Sequence, residues 1–316
     1  MAPPLRLPGL RPTSPQKPLL SVVVVAYSMA RELKRTLYSL SPKYQRGVNG
    51  DEYEVIVVDN GSPQPPDPQD WIQRPGWSVQ LLCRPPGDVS PCRAVNAGVA
   101  QARAEHVCVM VDGARMVSPG LIAGLLAIFR ADADAFAITL GWHLGPQPQN
   151  ISILQGYNQG VEDRMLRKAR WREDGYRLFS ISSLALSSAG GWFAPITESN
   201  CFALKRHHFQ ALGGFDERFV APGGGLVNLD FFRQAIAAKQ LRPWVLLGEG
   251  SFHQIHGGVA TNVPMEQHPG LAFSQEYEQI RGEPYVAPQY EPQYLGALSP
   301  VTRCWIAPSM PEAGDR

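Results

Sequence analysis

Five cysteines in 316 residues, none spaced as Cys-x-x-Cys, exclude a disulfide scaffold and a thiolate metal cluster. Cys83, Cys92, Cys108, Cys201 and Cys304 read as free thiols in a reducing compartment. Charge of one sign is missing too. With 29 Lys and Arg against 28 Asp and Glu the net is +1, so overall charge makes no case for nucleic acid or an anionic membrane as partner. Long apolar runs are absent. The best, Leu121 to Phe129, falls far short of the roughly 20 residues that span a bilayer, so no transmembrane segment is expected and only peripheral membrane contact stays open. The opening Met-Ala-Pro-Pro-Leu-Arg-Leu-Pro has no apolar core of a signal peptide, and the protein is read as cytoplasmic. No internal repeat is seen.

What remains is an ordinary globular composition, 44% hydrophobic and 18% charged. Prolines cluster in the N-terminal arm, in 63–68, in 85–91 and in the tail, so they mark loops. Residues 1–18 read as a disordered arm. Leu19–Tyr27, Tyr53–Val58 and His106–Val111 are apolar and β-branched with little alternation, as in strands buried on both faces. Val79–Cys83, Ala135–Trp142, Cys201–Leu204 and Pro243–Leu247 read as further strands. Helices are expected over Met29–Leu40, from Pro91 to about Ala104, and from Pro119 to about Arg130. Ser90 and Ser118 are taken as N-caps, each followed by proline. The alternation of strand and helix predicts an α/β fold with a mostly parallel sheet.

Two of these strands run into an acid and a turn: Asp59-Asn60-Gly61-Ser62 and Asp112-Gly113. Ligands of open α/β sheets bind beyond the carboxyl ends of strands. An aspartate there is placed to touch a ligand, or only caps its turn. In the second half, Val161–Arg172 reads as a basic helix with a solvated face, and 187–198 as an aromatic-glycine loop in a cleft, suited to close as a lid. Leu229–Lys239 reads as a helix with Asp230 in its first turn, and His253 and His256 follow the last strand.

Taken in order, these stretches resemble glycosyltransferase family 2, inverting enzymes of the GT-A fold. The resemblance rests on Ser21–Tyr27, Glu54–Ser62, Arg93 with Asn96-Ala-Gly98, Val111-Asp112, Gly213-Gly-Phe-Asp-Glu217, and His253 with His256. It covers roughly residues 19–258. It implies a GT-A domain over 19–264, with a Rossmann-like nucleotide-sugar half at 19–142 and an acceptor half at 143–264, then an irregular extension at 265–316. It implies transfer of a sugar from a nucleotide diphosphate, UDP by default, to a glycan, lipid or protein. Bacterial polysaccharide biosynthesis is the family's commonest use.

By the same resemblance, Ala26, Tyr27, Asp59, Asn60 and Gly61 hold the nucleobase, and Arg93 meets a phosphate or the base. Asp112 stands as the first acid of the family's Asp-x-Asp motif, beside Gly113. The last acid, which in the family binds Mn²⁺ or Mg²⁺, is here Ala114. Two alternatives follow: Arg115 supplies the missing positive charge, or Asp112 holds the metal with His253 or His256. The family's catalytic acid pair corresponds here to Val227-Asn228. Asp230 is therefore taken first as the general base, with Asp216 and Glu198 as alternatives. The rival reading is a non-catalytic GT-A module that binds a nucleotide sugar or a partner protein.

Overall fold

The computed structural model describes residues 5–6, 17–71 and 76–309. Its first half alternates strand and helix: β1 (Leu20–Ala26), α1 (Ala30–Ser39), β2 (Tyr53–Asp59), β3 (Ser78–Cys83), α2 (Cys92–Gln101), β4 (His106–Met110), β5 (Arg115–Val117), α3 (Leu121–Ala131) and β6 (Ala135–Leu144). The second half adds α4 (Gln159–Ala169), β7 (Ser182–Leu184), β8 (Cys201–Lys205), α5 (Arg206–Ala211), α6 (Val227–Ala237), β9 (Arg242–His253), α7 (Gly270–Arg281) and β10 (Gln293–Gly296). The sheet runs β3-β2-β1-β4-β8-β6-β9-β10. β1 is parallel to β2 and β4, and β6 is parallel to β9. β8 alone of the central strands runs antiparallel, between β4 and β6.

The low alternation of the strands has the expected cause. Along β1, Leu20, Val22 and Val24 enter the core on one face, against Leu33 and Leu37 of α1 and Leu121 and Leu125 of α3. Val23 and Val25 enter the core on the other face, with Val95 and Val99 of α2 and the rings of Phe202, Phe231 and Phe232. A central strand with helices on both faces has no wet side, so it carries no polar alternation.

β9 positions the site. Its first half pairs with β10, its second half with β5, and its register to β6 shifts between Val245 and Gly250. The expected strand Pro243–Leu247 stops before Gly248 and Gly250. The strand absorbs them in a bulge and continues to His253. His253 consequently faces Arg115 across β5 and His143 across β6.

Three further expectations need correction. Ser118 does not cap its helix, and Ser90 does so only by a long bond, its hydroxyl oxygen accepting the Cys92 N–H at 3.4 Å. The Ser90 hydroxyl donates to the Phe219 carbonyl at 2.7 Å, and the Ser118 hydroxyl accepts the Gly250 N–H at 2.9 Å. Each serine ties a first-half loop to a second-half segment. Residues 265–309 are not irregular throughout, since they hold α7 and β10. The 187–198 loop is not a free lid: the buried Trp192 donates to the Thr302 carbonyl, and the Tyr290 hydroxyl donates to that of Ile196. The arm 1–18 lies outside the described residues, apart from Leu5–Arg6, a two-residue strand beside β3, and 17–18.

Candidate active site

Asp112 leaves the end of β4 and uses its two oxygens differently. Oδ1 accepts the Ala114 N–H at 2.8 Å, which closes the turn. Oδ2 faces two imidazoles, His253 Nε2 at 2.8 Å and His256 Nε2 at 3.4 Å, and those two nitrogens lie 3.2 Å apart. The turn and ligand readings of this acid are therefore compatible. Gly113 permits a close approach within the chain itself. A Cβ there would come 2.8 Å from the Val25 carbonyl oxygen, so the turn is pressed against the end of β1.

The protonation of the group follows from its partners. His253 Nδ1 lies 2.7 Å from Gln149 Oε1, whose amide nitrogen donates to the His253 and Leu144 carbonyls. Oε1 is thus the acceptor, and Nδ1 carries the hydrogen. Burial pushes His253 down to about 4, against the pull of Asp112. The ring is neutral near pH 7, and Nε2 offers a bare lone pair. Burial also acts against charge on Asp112 and on His256. The attraction between them prevails, holding Asp112 well below the usual carboxylate range and His256 above the usual histidine range. Three acceptor atoms within 4.8 Å of one another need a shared cation. A proton on His256 serves in a metal-free protein. Two imidazoles and a carboxylate also fit a divalent ion.

Arg115 adds a second cationic feature. It is 4% exposed, and its Nε and Nη1 have no hydrogen-bond partner among the described residues. Burial lowers its pKa, against the charges of Asp112 and Glu198. A guanidinium keeps its proton in proteins. A buried cation without hydrogen-bond partners is costly unless an anion reaches it.

The nucleobase candidates cluster at the adjacent ends of β1 and β2. Tyr27 is half exposed and Ala26 is buried; the Ala26 carbonyl accepts the Asn60 N–H at 2.8 Å. Asp59 is spent within its turn, its carboxylate accepting both the N–H and the hydroxyl of Ser62. Asn60 holds the carbonyls of Asp88 and Ser90. Gly61 turns at φ +85°, where a Cβ would collide with Pro86. Arg93 pairs with Glu217 at 3.1 Å and Asp88 at 3.7 Å.

The acids proposed for proton removal separate clearly. Both oxygens of Asp230 are taken by the Arg281 guanidinium, at 2.7 and 2.6 Å, and the Gln234 amide adds a third bond. Asp216 is held by Arg218, which draws it down to about 2, and by Arg281 at 3.0 Å. Both carboxylates are occupied by guanidinium groups rather than open to an acceptor. Glu198 is different. It has the Asn228 amide on Oε2 at 2.9 Å, and its charge reaches Arg115. Asn228 thus contacts an acid at the position where the resemblance expects one.

The sequence profile of the family described as Glycosyl transferase family 2 matches residues 21–182, just over half of the chain. The chain belongs to glycosyl transferase family 2. A curated relative, validoxylamine A glucosyltransferase of Streptomyces hygroscopicus subsp. jinggangensis (strain 5008), is 26% identical over 226 residues. That alignment covers 68% of this chain and 51% of the relative, so the chain spans about half the relative's length. Among solved structures, S. aureus TarS superposes with a TM-score of 0.49 at 15% identity, over 75% of this chain and 36% of that one. S. aureus TarS in complex with UDP-GlcNAc gives 0.48 at 16% identity, over 76% and 59%.

In this family 2 chain the departures at Ala114 and Asn228 have structural counterparts. Ala114 is fully buried, so an acid there would have to be dehydrated. Gln149, His143 and Asn262 escaped sequence reading. Gln149 lies in a Pro-Gln-Pro-Gln stretch that looks like a surface loop, yet it is fully buried. No periodicity or motif marks it.

Proposed function

We propose that this family 2 protein transfers a sugar from a nucleoside-diphosphate sugar, UDP-linked by default, to a hydroxyl or amine acceptor with inversion. The observation that carries the reading is the convergence of Asp112, His253, His256 and Arg115 at the carboxyl ends of the central strands. The nucleotide half, 19–142, would hold the base against Ala26, Tyr27 and the Asp59-Asn60-Gly61 turn. The acceptor half, 143–264, would supply the base catalyst. Arg93, at the rim of the nucleotide half and paired with Asp88 and Glu217, would meet a phosphate or the base.

Asp112, His253 and His256 would hold a divalent ion, Mn²⁺ or Mg²⁺. When bound, such an ion offsets diphosphate charge and makes the nucleotide a better leaving group. Arg115 stands beside it, with unpartnered buried N–H groups suited to phosphate oxygens. Glu198 replaces Asp230 as the favoured general base. Asn228 fixes one of its oxygens and leaves the other to take the acceptor proton as the nucleophile attacks the anomeric carbon. The curated relative is named a glucosyltransferase, which supports a hexosyl donor.

The deciding experiment is calorimetric titration of UDP-, GDP- and CDP-linked sugars, each with Mn²⁺ and with a chelator. One donor bound only with Mn²⁺ supports the metal assignment. Equal binding under chelator gives the charge role to Arg115 alone. No binding of any donor overturns the transfer reading in favour of a non-catalytic module.

A further inference from the structure

Two amide side chains, the buried Gln149 and the half-buried Asn262, join the paths by which both histidines are held. Gln149 is fully buried on the short helical turn Gln149–Ser152 that follows β6. Its backbone N–H donates to His143 Nδ1 at 2.9 Å, and its side-chain nitrogen donates to the His253 carbonyl at 3.0 Å. Its Oε1 accepts two hydrogens, from His253 Nδ1 at 2.7 Å and from Asn262 Nδ2 at 2.8 Å. Asn262 Oδ1 in turn accepts the backbone N–H groups of His256, Gly257 and Gly258, at 3.0, 2.9 and 3.0 Å. One amide therefore sets the ring of His253, the other sets the loop that carries His256, and the two amides are bonded to each other.

We propose that Gln149 and Asn262 form a coupled pair of positioning residues for the divalent-cation site, Gln149 fixing the His253 tautomer and Asn262 fixing the His256 loop. The inference rests on the metal reading above. The chemical reason is specific. An imidazole can offer Nε2 to a cation only if its hydrogen sits on Nδ1, and an acceptor at Nδ1 enforces that choice. A glutamine oxygen does so without adding negative charge. The site then keeps a single formal negative charge, on Asp112. Asn262 does for the loop what a single side chain rarely does, gathering three successive N–H groups onto one oxygen. Without it His256 would lose its fixed distance from Asp112.

The test uses the full chain and two variants. Gln149→Met keeps the volume and removes the acceptor. Asn262→Asp keeps the three N–H contacts but loses the hydrogen bond to Gln149. Two readouts are taken. Long-range ¹⁵N–¹H spectra of the metal-free protein report the His253 tautomer, and Mn²⁺ titration followed by electron paramagnetic resonance reports affinity and bound nitrogens. The wild type should show the Nδ1–H tautomer, and Gln149→Met should lose it. Losing a hydrogen bond that orients a metal-binding histidine costs on the order of 10- to 100-fold in metal affinity, which is the drop expected for Gln149→Met, with Asn262→Asp falling between it and wild type. If Gln149→Met keeps both the tautomer and the Mn²⁺ affinity of wild type, the positioning role is overturned while the metal site stands. If wild type shows the tautomer yet binds no Mn²⁺, the metal reading is overturned and takes the pair's role with it. Should Gln149→Met fail to fold, Asn262→Asp decides: an unchanged Mn²⁺ affinity there overturns the coupling of the two amides.

Discussion

Arg115 and Glu198 are the residues whose replacement is most informative. Glu198 holds one oxygen against Asn228 and leaves the other unassigned. Glu198→Gln keeps the amide contact and removes the proton acceptor. General-base loss typically costs about 10²- to 10⁴-fold, so the turnover rate should fall within that range while donor binding persists. Stopped-time assays beside calorimetry check this, and a Glu198→Gln enzyme with undiminished turnover would return the base to another acid. Arg115→Met makes an opposite pair of predictions. Removing a buried cation that lacks hydrogen-bond partners should raise the thermal midpoint of the ligand-free protein. Donor affinity should fall roughly 10-fold or more, as for loss of a hydrogen bond between charged groups worth about 1.5–3 kcal/mol. A variant that is less stable and binds donor normally would make Arg115 a structural residue.

At the scale of elements, α1, α4 and the loop behind His256 meet at one buried carboxylate. Glu162 on α4 accepts the Ile255 N–H at 2.8 Å and the Tyr157 hydroxyl at 3.2 Å, and Arg31 and Arg35 of α1 reach it. Burial dominates these partners and raises Glu162 from 4.5 to about 7. The folded state thus binds this proton more tightly than the unfolded chain. That stabilisation is fully present below about pH 4.5 and is lost as pH rises through about 7. The thermal midpoint of wild type should decline over that window relative to Glu162→Gln, which stays neutral. Parallel midpoint-against-pH curves for the two proteins would remove Glu162 from the account. The basic character of α4 has no comparable consequence. Arg164, Arg167 and Lys168 are exposed, and Arg172 lies over the rings of Tyr38 and Trp171.

Across the whole molecule, the C-terminal segment closes what the α/β core leaves open. Trp305 packs on Trp142 and Phe179, and hydroxyls of Tyr285, Tyr290 and Tyr294 donate to carbonyls of Thr197, Ile196 and Phe193. Those carbonyls lie on the loop that ends at Glu198. Removing residues 284–316 should therefore expose Trp192, shift its fluorescence to the red and lower turnover more than donor binding. Unchanged turnover in the truncated protein would separate the strap from Glu198. No helix of the described residues is long and apolar enough to cross a membrane.

The sequence by itself determined the strand-helix alternation, the strand ends at Asp59 and Asp112, and the family. These depend on local chemistry: a strand buried on both faces shows apolar residues without alternation, and an acid after it is visible in one dimension. His253 and His256 were legible as candidates because histidines three apart after a strand are rare enough to notice. Tertiary structure alone decided which acid is free. Asp230 and Asp216 look like bases until Arg281 arrives from far downstream, 51 residues beyond Asp230, to occupy them. It alone decided that His253 meets Asp112, because that depends on β9 running through its glycine bulge to pair with β5. It also decided that Gln149 is buried. A polar residue in a proline-rich stretch carries no sign of burial, since its burial is set by partners 104 and 113 residues away in the chain.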